Sequence, residues 1–317
     1  MSFLSFVIPC YRSANTIGAV VEELESTLEK RNAEYEIILV NDGSPDNTAG
    51  VIRKLTETHP RIVFVNLSRN FGQHSALMAG FHHVTGDIVI CLDDDGQTPA
   101  DECFKLIDRV EEGCDIVYAD YPARKQNGFR NLGSRFNALC NQYFFGLPKE
   151  LHANSYFACR RFVVDSALQY PNAFPYITGL LFQSVSSWAN VPVNHRERME
   201  GRSGYTLKKL VALWANGVTA FSIKPLRLAG YIGWITGGAG LIFALITVIR
   251  KLINPEMQAG WASLVSIVLV MGGMIICLLG LIGEYVGRIY LSINRAPQFV
   301  VREVIRGVEA EEREAKR

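Results

Sequence analysis

The stretch Asp87-Ile88-Val89-Ile90-Cys91-Leu92-Asp93-Asp94-Asp95-Gly96-Gln97-Thr98-Pro99 decides how this chain is read. Ile88 to Leu92 is apolar at every position and short, which suits a parallel strand covered on both faces. It ends in three carboxylates. Side chains alternate along an extended chain, so Asp93 and Asp95 point one way and Asp94 the other. In an open α/β sheet, ligands bind beyond the carboxyl ends of the strands. Two carboxylates aimed there repel, and a hard cation such as Mg²⁺ or Mn²⁺ relieves the repulsion. Mg²⁺ is commonly held by one or two carboxylates together with substrate phosphates. The competing reading is a solvated acidic turn that caps a helix starting near Pro99.

The flanking sequence supplies a fold for this strand. Phe3 to Ile8 reads as a strand ended by Pro9, and Asn15 can cap a helix to about Lys30, apolar at Ile17, Val20, Val21, Leu24 and Leu28. Tyr35 to Val40 is a second strand, and Asn41 to Thr48 a turn that opens a helix to about Thr58. Ile62 to Leu67, a loop over Ser68 to Gly72, and a helix from Gln73 to Val84 follow. After the Asp87 strand come a helix to about Glu112 and a strand from Asp115 to Ala119. This alternation predicts an α/β fold with a doubly wound, mostly parallel sheet. No G-x-G-x-x-G follows the first strand, which argues against a dinucleotide-binding dehydrogenase.

The 317 residues carry a formal net charge of +1, so nucleic acid is not an expected partner. Cys10, Cys91, Cys103, Cys114, Cys140, Cys159 and Cys277 form no CxxC pair and mostly sit in apolar runs, as reduced small hydrophobes do. The first residues enter a strand directly, so no signal peptide is expected. Two segments are locally basic: Ala123 to Arg135, with Arg124, Lys125, Arg130 and Arg135, and His195 to Tyr205, with Arg196, Arg198 and Arg202. Each alone reads as a solvated loop, but beside a candidate metal–phosphate site both point to anion binding.

The apolar share of 49% is uneven, with its excess after Leu226. Tyr205 to Lys224 is amphipathic and reads as an interfacial helix. Ala229 to Ile249 and Trp261 to Gly283 are long enough to span about 30 Å of hydrocarbon. The outer flanks carry Lys208, Lys209, Lys224 and Arg227 before, and Arg288, Arg295, Arg302 and Arg306 after, against only Arg250 and Lys251 in the hairpin. The positive-inside rule then places both termini in the cytoplasm. Gly237, Gly238, Gly240, Gly272, Gly273 and Gly280 would allow close helix contact, within the hairpin or in a homo-oligomer. Glu303 to Arg317 reads as helical or disordered. The expected organisation is a cytosolic domain over 1–203, an interfacial region over 204–226, two transmembrane helices within 227–284, and a cytosolic tail over 285–317.

A cytosolic α/β domain tethered to a membrane suggests one soluble, phosphate-bearing substrate and one in the lipid. The residues also resemble a known family. Phe6-Val7-Ile8-Pro9-Cys10-Tyr11, Val40-Asn41-Asp42-Gly43-Ser44, Ser68-Arg69-Asn70-Phe71-Gly72 and Asp93-Asp94-Asp95-Gly96-Gln97 are similar to the signature series of family-2 glycosyltransferases. The resemblance is strongest to the polyprenyl-phosphate glycosyltransferases, including bactoprenol glucosyltransferases and dolichol-phosphate mannose synthases. It extends through His195, Arg198, Gly201, Ser203 and Tyr205 to Phe221-Ser222, Pro225-Leu226-Arg227 and Gly283-Glu284-Tyr285-Val286-Gly287-Arg288.

The resemblance implies a GT-A fold. It implies inverting transfer of one sugar from a nucleotide sugar, with UDP as the expected nucleotide, to a polyprenyl phosphate such as undecaprenyl phosphate in the inner membrane. Asp93 and Asp95 would flank Mg²⁺ or Mn²⁺ on the diphosphate. Pro9, Tyr11, Asp42, Asp94, Gln97 and Arg124 would bind the nucleotide sugar, with Arg130 among the catalytic groups. Arg135, Arg198, Arg202 and Ser203 would take the acceptor phosphate. Three positions depart from the pattern. Arg12 and Ser13 replace an acidic motif after Tyr11, Gly204 replaces a lysine, and Ser155 stands where relatives place an Asp proposed as the base. A phosphate monoester has a second pKa of about 6, so the acceptor is already mostly anionic at neutral pH and the base is left unassigned. Ser155 is then expected to bear on sugar or acceptor choice, with little cost to turnover when replaced. A processive polysaccharide synthase would carry Gln-x-x-Arg-Trp, where Gln183 to Trp188 reads Gln-Ser-Val-Ser-Ser-Trp. A non-catalytic membrane scaffold would have no need of Asp42, Asp93 and Asp95 together.

Overall fold

The structure, a computed structural model, describes residues 2–121, 148–194, 224–254, 260–294 and 297–315. The basic segments with Arg124, Arg130, Arg135, Arg198, Arg202 and Ser203, and most of the expected interfacial helix, lie outside the described residues. The chain divides into two compact units, Met1–Leu210 with Arg295–Arg317, and Val211–Asn294.

The first unit is built on one sheet. β1 (Leu4–Cys10), β2 (Tyr35–Asn41), β3 (Ile62–Leu67) and β4 (Ile88–Cys91) are buried at every residue, as strands covered on both faces must be. β5 (Ile116–Asp120), β6 (Phe157–Arg160), β7 (Trp188–Pro192) and β8 (Val301–Arg306) complete the order β7-β5-β6-β4-β1-β2-β3-β8. The ladders β1–β2, β1–β4, β2–β3 and β5–β7 are parallel, whereas β4–β6, β5–β6 and β3–β8 are antiparallel. The strand order reverses between β1 and β4, which puts the switch point, where such sheets bind ligands, at the carboxyl ends of those two strands.

The helices follow the apolar spacing. α1 (Ile17–Lys30) buries Ile17, Val20, Val21, Leu24 and Leu28, a stripe of period 3.6. α2 (Thr48–Thr58) buries Ile52. α3 (Gln73–Phe81) is buried from Ser75 onward and presses on the sheet at Gly80, where an added Cβ would lie 2.5 Å from Val7 Cγ1. A single helical turn at Ala100–Glu102 leads into α4 (Cys103–Glu111), and α5 (Arg161–Leu168) and α6 (Ile177–Gln183) follow β6. Truncating a fully buried aromatic such as Phe6 or Phe64 would cost about 3–5 kcal/mol.

Pro9 does not end β1. The strand continues to Cys10, with Pro9 opposite Val40. Glu303 to Arg317 is also corrected. Residues 301–306 form β8 on the β3 edge, and among the described residues the helical part of this tail is α9 (Val308–Ala315). Arg61 binds Glu309 at 2.8 Å, and the Arg313 guanidinium lies 4.0 Å from the Phe3 ring centre.

The second unit holds α7 (Lys224–Ile253) and α8 (Trp261–Ile293), each with a segment long and apolar enough to cross a membrane. Thirty residues of helix span about 45 Å, more than the hydrocarbon core requires. Trp234 is 84% exposed and Leu241 74%. Apolar surface on that scale is stable only against lipid or protein. A Cβ built at any of Gly237, Gly238, Gly240, Gly272, Gly273 or Gly280 meets no described atom within 4 Å.

Candidate active site

Four loops and one turn meet at the carboxyl ends of β1 to β4. The β1–α1 loop is held by Asp94. Its carboxylate accepts the Tyr11 N–H at 2.9 Å and the Ser13 hydroxyl, while its carbonyl accepts the Thr16 hydroxyl at 2.7 Å. Burial raises the Asp94 carboxyl above its ordinary value, opposed by the Ser13 and Tyr11 donors. Arg12, between them, sits in the left-handed region at φ 60 with its N–H on Ser44 Oγ at 3.2 Å. Strain of this kind collects at functional sites. The Tyr11 ring is left 44% exposed at the switch point. Asp94 thus shapes the loop that presents Tyr11, and Pro9 is buried within β1.

Asp42 does similar work one strand over. Oδ1 accepts the Phe71 N–H at 2.7 Å and Oδ2 the Gly72 N–H at 2.9 Å, while Asn70 donates to the Asp42 carbonyl at 3.2 Å. A carboxylate at the start of α3 also answers the positive end of that helix. Burial raises the Asp42 pKa, and the two N–H donors offset part of the rise. Gly43 is required here: it has φ +58, and a Cβ would lie 2.2 Å from the Arg69 carbonyl carbon.

Asp93 and Asp95 follow the end of β4, Asp95 in a turn. Asp93 Oδ1 accepts the Gln73 amide at 3.1 Å, and Oδ2 the Ser155 hydroxyl at 2.5 Å. Asp95 Oδ1 accepts the Gln97 N–H at 3.0 Å. Tyr121 stands beside both acids. Burial, then the charges of Asp93 and Asp95, push its phenol well up, so it stays protonated and able to donate. Behind Ser155 the chain is fixed: Asn154 binds the Ala119 carbonyl and the Tyr156 N–H, and the buried Tyr156 hydroxyl donates to the Pro99 carbonyl at 3.0 Å.

Sequence reading missed Gln73, Thr16 and Tyr121. A polar residue opening an otherwise apolar helix was the available signal for Gln73. The structure brings Tyr11, Asp42, Asp93, Asp94, Asp95 and Gln97 to one end of the sheet. Among the described residues, no three His, Cys, Asp or Glu side chains form a group that could enclose an ion. Asp93 and Asp95 both lie near enough to Tyr121 for their charges to raise its pKa, and two oxygen-donor side chains of this kind suit a hard cation.

Residues 5–165 match the family model "Glycosyl transferase family 2", and residues 224–289 match "GtrB C-terminal hairpin". This chain belongs to glycosyltransferase family 2. The glycosyltransferase is 32% identical, over 100% of its length and 98% of the relative's, to an undecaprenyl-phosphate 4-deoxy-4-formamido-L-arabinose transferase from Edwardsiella ictaluri. It is 30% identical to the uncharacterized glycosyltransferase YkcC of Bacillus subtilis, covering 94% of this chain and 92% of that one. Among solved structures it shares its fold with mannosyl-3-phosphoglycerate synthase from Rubrobacter xylanophilus. That pair has a TM-score of 0.51 and 20% identity, over 72% of this chain and 75% of that one. A glucosyl-3-phosphoglycerate synthase from Mycobacterium tuberculosis, solved with Mn²⁺, UDP and phosphoglyceric acid, gives 0.52 and 20%, over 69% and 76%. The GT-A fold expected from the sequence is present, followed by two candidate membrane helices.

Proposed function

We propose that this glycosyltransferase moves one sugar, with inversion, from a nucleotide sugar, UDP being the nucleotide, to a membrane polyprenyl phosphate such as undecaprenyl phosphate. The observation that carries the reading is the end-to-end likeness to the Edwardsiella transferase, hairpin included. The paired Asp93 and Asp95 at the switch point support it. The protein lies in the inner membrane with its sheet domain and both termini on the cytoplasmic side, where nucleotide sugars are made.

Each residue has a task in this account. The exposed Tyr11 ring offers a stacking face to the base, and Asp42 and Asp94 hold the loops around it. Asp93 and Asp95 would hold Mg²⁺ or Mn²⁺, which supplies positive charge to the departing diphosphate. Tyr121 can donate a hydrogen bond beside them. Arg124 and Arg130 are assigned to the donor phosphates, and Arg135, Arg198, Arg202 and Ser203 to the acceptor. The Ser155 hydroxyl donates a hydrogen bond to Asp93 and is no base. The acceptor phosphate, ionised with a second pKa of about 6, attacks without one.

The test uses the purified protein in detergent with UDP-sugars, including the formamido-arabinose named for the Edwardsiella relative, and undecaprenyl phosphate. UDP release should require both the lipid phosphate and a divalent cation. Asp93→Asn or Asp95→Asn should lower it by about 10²-fold or more, as losing charge from a metal–diphosphate clamp does. Near-normal rates in both variants, or lipid-independent release alone, would contradict the reading.

A further inference from the structure

Ser155 and Gln73 come from different elements and converge on one carboxylate. β6 runs antiparallel to β4 with Cys91 opposite Phe157. Continuing that register by two residues on each strand sets Asp93 opposite Ser155, where the hydroxyl meets Oδ2 at 2.5 Å. Gln73, at the first turn of α3, meets Oδ1 from the other side at 3.1 Å. An aspartate has two free side-chain torsions, and a donor on each oxygen fixes both. A carboxylate accepts at about four lone-pair sites, so two donors set its plane without exhausting its capacity to ligate.

We propose that Ser155 and Gln73 are positioning residues that hold the Asp93 carboxylate in the orientation needed to ligate the divalent cation on the donor diphosphate. This rests on the metal–diphosphate reading of the preceding subsection. It revises the expectation that Ser155 concerns only sugar or acceptor choice. An acid at 155 would place a second carboxylate against Asp93, where like charges force one of the two to hold a proton or share a cation. Serine replaces that repulsion with a donor, so this chain aligns Asp93 by hydrogen bonding.

The experiment measures Mn²⁺ affinity of the full-length protein in detergent by the electron paramagnetic resonance signal of free Mn²⁺, with saturating UDP. UDP affinity without metal is measured alongside by calorimetry. Ser155→Ala and Gln73→Met should each weaken Mn²⁺ binding about tenfold, the scale of one hydrogen bond to a charged group, with metal-free UDP binding within about twofold of the parent. Ser155→Thr, which keeps the hydroxyl, should restore Mn²⁺ affinity. A merely structural role would lower UDP binding with and without metal alike. Parent-like Mn²⁺ affinity in both Ser155→Ala and Gln73→Met would overturn this inference alone. A parent protein whose UDP binding is indifferent to Mn²⁺ would overturn the metal reading and this inference together.

Discussion

Asn66 donates a side-chain N–H to Glu303 Oε1 at 2.8 Å, a bond between residues 237 positions apart. Arg53 reaches the same oxygen at 2.5 Å, and Asn41 donates to Asn66 Oδ1 at 2.8 Å. Asn41, Asn66 and Glu303 are register partners across β2, β3 and β8. The row ends at the site: the Ser44 N–H lies 3.2 Å from Asn41 Oδ1, and the Ser44 hydroxyl accepts from Arg12. The strand that follows the hairpin in sequence is thus wired to the loops beside Tyr11.

Removing Glu303 leaves the buried Asn66 amide without its acceptor. Glu303→Ala should destabilise the sheet domain by about 1–3 kcal/mol, and Glu303→Gln, which keeps a carbonyl oxygen, by less. Hydrogen exchange at β3 and urea unfolding in detergent would read both. An unchanged midpoint in Glu303→Ala would show that β8 does not brace the edge.

His74 predicts the acid response. It is half-buried at the start of α3, and burial pushes its pKa from 6.5 down to about 4. Its Nδ1 accepts the Ile177 N–H at 3.5 Å and its ring meets Tyr176 edge-on. A depressed histidine favours the neutral form in the folded state. Its contribution is therefore full above 6.5 and is lost as pH falls from 6.5 toward 4. Thermal midpoints should drop across that window, and His74→Leu should flatten the drop. Equal slopes in the two proteins would refute the assignment.

The sheet from β1 to β5 was legible because those strands are buried on both faces and bounded by turn residues. β6, β7 and β8 were not. β6 has four residues, β7 is half-exposed and holds an asparagine and a proline, and β8 carries a glutamate on the face where Asn66 needs an acceptor. The acidic run was visible in the sequence, but Asp94 and Asp95 lie in a turn beyond β4, not in the extended chain that alternation assumes. That Asp42 and Asp94 secure loops, and that Ser155 and Gln73 grip Asp93, depends on partners 20 to 83 residues away, which no local pattern reveals.

The hairpin predicts an accessibility pattern. With Cys114, Cys140 and Cys277 replaced by serine, a cysteine at Gln258, between α7 and α8, should react with an impermeant thiol reagent in intact cells. One at the exposed Glu57 on α2 should react only after lysis. The reverse pattern would place the sheet domain on the wrong side for nucleotide sugars.

The most direct measurement is the mass spectrum of undecaprenyl phosphate after incubation with the purified protein, a UDP-sugar panel and Mn²⁺. The account predicts a lipid heavier by one sugar residue and no more, formed with one UDP released per lipid. A ladder of longer products would contradict it in favour of a processive synthase. An unaltered lipid with every donor, while the protein still binds UDP, would contradict it in favour of a scaffold.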